Sequence, residues 1–216
     1  MKKNPAHFTE PANTVNQERL IFLVDGVFAI TMTLLVLELR PPELETSDLA
    51  AALQAMLPRL YIYLIAFYSI ANHWVVHQRM FRHITDMDTT MLWLTILSLL
   101  FITLIPAATA IVGRFPGEEL AVACFSANSF LQAMTVWMFW AYVVKNQKHF
   151  ASHSDPHLLE ITSQVWLVIA IGWLVSIPLS FINVYLAYAS WIILPNLVGV
   201  WGNRRRHQLQ NAKPAK

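Results

Sequence analysis

Long apolar runs dominate the sequence, each close to the length needed to cross the hydrocarbon core of a bilayer. A helix rising about 1.5 Å per residue spans about 30 Å of hydrocarbon with about 20 apolar residues. Six segments qualify: about Arg19 to Leu39, Leu60 to Val76, Met91 to Val112, Leu120 to Val144, Ile161 to Leu179 and Ile182 to Trp201. Inside lipid no water satisfies backbone N–H and C=O groups, so runs of this length and composition are read as helices. The expectation is an all-α polytopic membrane protein with six transmembrane helices per subunit. Residues 1–17 form a cytosolic N-terminal segment, 18–202 the six-helix transmembrane domain and 203–216 a basic cytosolic tail. Composition agrees: 56% of the 216 residues are hydrophobic and only 13% charged, against about 25% charged in soluble domains. Little remains for a separate soluble domain. Met1 to Gln17 is polar, without the apolar core of a removable signal peptide.

Prolines and charges punctuate the runs. Arg40-Pro41-Pro42 closes the first segment, because proline lacks a donor and restricts its predecessor. Glu43 to Ala55 is polar enough for a loop or a short surface helix, and Pro106 and Pro195 should kink the third and sixth segments. Only Pro178, Ser180 and Asn183 separate the fifth from the sixth, a very short turn unless the pair is one broken or re-entrant element. With six spans, Lys2, Lys3, Arg19, Arg79, Arg82, Lys145, Lys148, Arg204, Arg205, Arg206, Lys213 and Lys216 share one side. Only Arg40, Arg59 and Arg114 fall opposite, beside Glu43, Glu45, Asp48, Glu118 and Glu119. The positive-inside rule then places both termini in the cytosol. The net charge of +2 therefore reads as a topology signal, with the triple-Arg tail near anionic lipid headgroups, and no nucleic-acid partner is expected.

Little here suggests an enzyme or a metalloprotein. Phosphate-binding glycine loops, zinc-protease motifs and nucleophile elbows are absent from the sequence. The single Cys124 lies in an apolar run and reads as a small buried hydrophobe. His149, His153, Asp155 and His157 are too loosely spaced to demand a metal, with Pro156 interrupting them. No metal and no cofactor are expected.

The first apolar segment carries the unusual residue. Asp25 lies inside it, and a carboxylate in an apolar helix must face protein or water and find donors. Arg19 is one candidate; Asn72, His73 and His77, at the basic end of the second segment, are others, with His73 and His77 four apart on one face. Such a cluster serves either as a polar clamp between the first two helices or as a proton or cation relay. Beyond Asp25, Ile30, Thr33 or Leu34, and Leu37 recur at three- and four-residue spacing and form one stripe. In a monomer that stripe is ordinary packing. Around the axis of a symmetric oligomer it would stack apolar rings, which gate by dewetting, with threonine oxygens beside them.

Arg19, the spacing to Asp25, and the run Asp25-Gly26-Val27-Phe28-Ala29-Ile30 with Thr33-Leu34-Leu35-Val36-Leu37 resemble the first-helix signature of the prokaryotic TMEM175-type potassium channels. Trp74, His77 and Arg79-Met80-Phe81 resemble the family's Trp-x-x-His stretch in the second helix. The Phe and Ser of the signature are Leu23 and Val24 here. The resemblance implies a homotetramer of six-helix subunits, with a central pore lined by the first helices and no carbonyl-lined selectivity loop. Carried over by position, Ile30 is the hydrophobic constriction, Thr33 a polar contributor to cation preference, and Leu34 and Leu37 further pore residues. Arg19, Asp25, His73 and His77 become the polar clamp, and Glu38 belongs to an outer mouth that concentrates cations. A potassium-permeable channel of a bacterial inner membrane follows, passing potassium and other monovalent cations. A proton-coupled small-solute transporter using Asp25 and His77 is the alternative, and a non-conducting scaffold the third.

Overall fold

The computed structural model describes residues 16–39, 49–82, 84, 86–146 and 156–211. Six helical stretches among them are long and apolar enough to cross a membrane, so the chain is a multi-pass membrane protein.

The first span is α1 (Gln17–Leu35), which tightens into a 3-10 turn over Val36–Glu38. Asn16 caps it, its side chain accepting from the Arg19 N–H at 3.1 Å. The second, α2 (Leu49–Phe81), begins eleven residues before the expected start at Leu60 and runs through Pro58. Of the stretch read as a loop or a short surface helix, residues 49–55 are helix, continuous with the span, and residues 43–48 lie outside the described residues. From Leu49 onward the residues are mostly Ala, Leu, Met and Gln, all good helix formers that carry the helix through the proline.

The third span is two helices, α3 (Thr89–Thr103) and α4 (Ile105–Arg114). Asp88 starts α3 by accepting from the Met91 N–H at 3.0 Å. The break at Leu104 comes two residues before Pro106, where the ring removes a donor and crowds the carbonyl four residues back. The fourth span is α5 (Glu119–Lys145), the fifth α6 (Pro156–Ile182) and the sixth α7 (Val184–Asn211). Pro178 sits inside α6 rather than in a turn, and Asn183 alone separates the two helices. Its side chain accepts from the Tyr185 and Leu186 N–H groups at 2.8 and 3.4 Å, so one residue ends one helix and caps the next. Position 195 leaves α7 unbroken, and the basic tail continues that helix to Asn211.

Packing separates a hub from a rim. Of the most apolar stretch of each span, 61% is buried in α5 against 18% in α7 and 11% in α2. α5 packs against α3, α4, α6 and α7, whereas α1 packs against α2, α3 and α4. Buried Ser126 of α5 meets Ser176 of α6 at 3.1 Å, and the Trp191 indole of α7 donates to both hydroxyls at 3.2 and 3.0 Å. Gly172 and Gly202 allow α6 and α7 to approach closely: an added β-carbon would lie 3.1 Å from Leu194 and 2.8 Å from Val165.

Candidate functional site

Helix α1 has two faces of opposite fate. Leu20, Val24, Phe28, Thr31 and Leu35 recur every three or four residues and are buried against the rest of the subunit. On the other side Leu23, Gly26, Ile30, Thr33, Leu34 and Leu37 are exposed. Ile30 keeps 60% of its surface and Leu37 54%, so the described residues leave this stripe uncovered. The Thr33 hydroxyl donates to the Ile30 carbonyl at 2.8 Å. With its one hydrogen used inside the helix, that oxygen presents only acceptor lone pairs outward. Half-buried Glu38 lies in the 3-10 turn, which packs against α2 and α4.

Two polar locks fix the N-terminal half of α1 to α2. One Asp25 carboxylate oxygen accepts from the Trp74 indole N–H at 2.9 Å and from the Gln78 amide at 3.1 Å. The Gln17 amide donates to the Phe81 and Ile84 carbonyls, each at 3.1 Å, tying the start of α1 to the end of α2. Both histidines expected around Asp25 are buried elsewhere. His73 bonds through Nδ1 to the Ser69 carbonyl at 2.6 Å, and its ring lies 5.3 Å from that of Trp166. His77 sits between Phe28 and Phe81, at 5.5 and 5.8 Å between ring centres, and neither nitrogen is hydrogen-bonded among the described residues. The exposed Arg19 makes no ion pair with Asp25 among the described residues.

Here the structure corrects the partners expected from sequence. Trp74 and Gln78 are four apart, as are His73 and His77, and the two pairs differ by one residue. Spacing alone cannot choose between them, since about 100° of rotation of α2 exchanges one pair for the other. Gln17 carried no signal, because its partners are backbone carbonyls. Of the loop once weighed for a metal, His149, His153 and Asp155 lie outside the described residues, and exposed His157 stands 3.8 Å from Glu160.

Residues 19–106 match the family model described as the endosomal/lysosomal potassium channel TMEM175. A potassium channel of Chamaesiphon minutus is 28% identical over 176 residues, 79% of this chain and 87% of that protein. The crystal structure of a lysosomal potassium-selective channel TMEM175 homolog from Chamaesiphon minutus superposes with a TM-score of 0.76 at 26% identity, covering 87% of this chain and 98% of the other. The endosomal/lysosomal proton channel TMEM175 of Mus musculus is 30% identical over 166 residues, 68% of this chain but only 33% of that longer protein. These relatives are ion channels, not enzymes.

Proposed function

The chain belongs to the TMEM175 family, and on that premise we propose that it is a potassium-permeable cation channel with a pore lined by the first helices of four identical subunits. The observation that carries this reading is the uncovered stripe on α1. A subunit leaves Ile30, Thr33, Leu34 and Leu37 bare along one line, and four such lines about an axis make stacked rings. Ile30 forms the apolar constriction, which closes by dewetting. Thr33 contributes a ring of hydroxyl oxygens whose lone pairs replace part of a cation's hydration shell. Leu34 and Leu37 extend the lining toward Glu38, whose carboxylate raises the local cation concentration at the mouth.

The Asp25 lock belongs to this machinery as a clamp rather than a relay. Trp74 and Gln78 pin one end of the pore helix, while the ring-bearing half lies beyond the pin. His73 and His77 back the clamp by packing, and Arg19 marks the aqueous end of the helix. Both termini lie in the cytosol of a bacterial cell, and the rim helices and basic end of α7 contact inner-membrane lipid.

The test is ion flux through purified protein in liposomes, with potassium, sodium and proton gradients applied in turn and empty liposomes alongside. Potassium flux, raised several-fold by Ile30→Asn because the ring becomes wettable, is expected from a particle of four subunits by native mass. An inserted, folded tetramer whose flux and ion preference ignore Ile30→Asn would remove Ile30 from the pore.

A further inference from the structure

Gly26 has no steric reason among the described residues to be glycine. Glycine is the poorest helix former after proline, and Gly26 sits in the middle of α1 in ordinary helical conformation. In α6 and α7 two glycines have steric causes, Val165 crowding Gly202 and Leu194 crowding Gly172, whereas exposed Gly199 of α7 has open space around it as Gly26 does. At Gly26 an added β-carbon meets nothing within 4 Å. Gly26 also lies on the uncovered stripe, four residues before Ile30 and seven before Thr33, hence in line with both.

We propose, resting on the pore assignment above, that the four Gly26 positions form a wide, water-filled ring on the N-terminal side of the Ile30 constriction, where a permeating monovalent cation exchanges hydration water for backbone carbonyl oxygen. Four residues of helix place this ring about 6 Å along the axis from Ile30, one helical turn from the narrowest point. Helical side chains lean toward the N-terminus and cover the preceding turn. Without one at Gly26, the Phe22 and Leu23 carbonyls are uncovered, and each keeps a second lone pair beyond its helical hydrogen bond. Carbonyl oxygens in a ring suit a partly dehydrated alkali cation. The lock at Asp25, one residue away, holds this turn to Trp74 and Gln78, so the ring keeps its width while the helix beyond it moves.

The experiment starts from Cys124→Ser, which removes the single native thiol, exposed on α5 rather than buried as its apolar run suggested, and adds Gly26→Cys in the full-length tetramer in liposomes. A positively charged methanethiosulfonate reagent should reduce potassium flux at least several-fold in Gly26→Cys and leave Cys124→Ser alone unaffected. In a size series, flux per tetramer should fall from glycine to Gly26→Ala and fall further in Gly26→Leu, with native mass unchanged. Two results overturn the inference while leaving the pore reading intact: Ile30→Asn alters flux but Gly26→Cys is indifferent to the reagent, or Gly26→Ala breaks the tetramer with flux per remaining tetramer unchanged. The latter would make Gly26 a contact between neighbouring helices. Indifference to Ile30→Asn as well would instead sink the pore reading itself.

Discussion

At the scale of single residues the most consequential bonds are those on one oxygen of Asp25. Two donors from α2, Trp74 and Gln78, meet it, and bonds to a charged acceptor contribute about 1.5–3 kcal/mol against about 0.5–1.5 for neutral pairs. Asp25→Asn retains an acceptor but loses the charge, so we expect a loss of about 1 kcal/mol. Trp74→Phe removes one donor and keeps the packing of the ring, with a loss of about 1–2 kcal/mol. Because both changes act on one network, the double variant should lose less than the two single losses combined. Thermal unfolding of the four proteins in one detergent measures this coupling, and strict additivity would mean that the indole is no partner of Asp25 in the folded channel. That an acid at position 25 needs donors was legible in the sequence, since lipid offers none. Which donors it takes was not, because His73 and Trp74 are neighbours on a helix whose rotation depends on tertiary packing.

Elements show the same division between what local chemistry dictates and what packing adds. All six spans were legible because their apolar runs must be helices in lipid, and the break near Pro106 followed from the missing donor. The early start of α2 was not legible: length sets only the minimum needed to cross, and nothing in Leu49–Leu57 stops a helix. Pro106→Ala restores the missing N–H, so α3 and α4 should merge across Leu104, and hydrogen exchange of backbone amides around residues 102–108 should slow. Unchanged exchange would mean that contacts of α4 with α2 and α5 impose the break. A second element-level test concerns the α6–α7 hairpin, whose single linking residue holds the helices close. Gly202→Ala puts a methyl group where Val165 Cγ2 stands 2.8 Å away, and such overpacking costs about 1–3 kcal/mol. Val165 is stiff at χ1 and cannot swing aside cheaply. Val165→Ala should therefore recover most of the loss in thermal stability caused by Gly202→Ala, and failure to recover it would place the crowding elsewhere.

For the whole molecule, the arrangement of charge is the basis of the proposed orientation in the bilayer, with both termini cytosolic, and thereby of which end of the proposed pore faces the cell. The N-cap of α1, the end of α2 at Arg79 and Arg82, the end of α5 at Lys145, and Arg204 and Arg205 of α7 all lie at one end of the six-span bundle. The opposite end holds Arg59 and Arg114 beside Glu118 and Glu119. Lys and Arg near span ends stay on the cytosolic side during insertion, whereas acidic residues contribute little. The Arg205 guanidinium also lies 5.5 Å from the centre of the Trp201 ring, an aromatic–cation pair suited to the headgroup layer, where such rings concentrate. In the proposed orientation Gln17 and Asp25 are on the cytosolic side of the proposed Ile30 ring and Glu38 on the outer side. A green fluorescent protein fused after residue 216 in a bacterial host should fluoresce, and alkaline phosphatase at the same point should be inactive. The phosphatase inserted after Gly117, in the turn between α4 and α5, should be active. The reverse pattern would turn the bundle over, leaving the rings in the same order along the axis but making Glu38 the cytosolic mouth, so that it would concentrate cations for exit rather than entry.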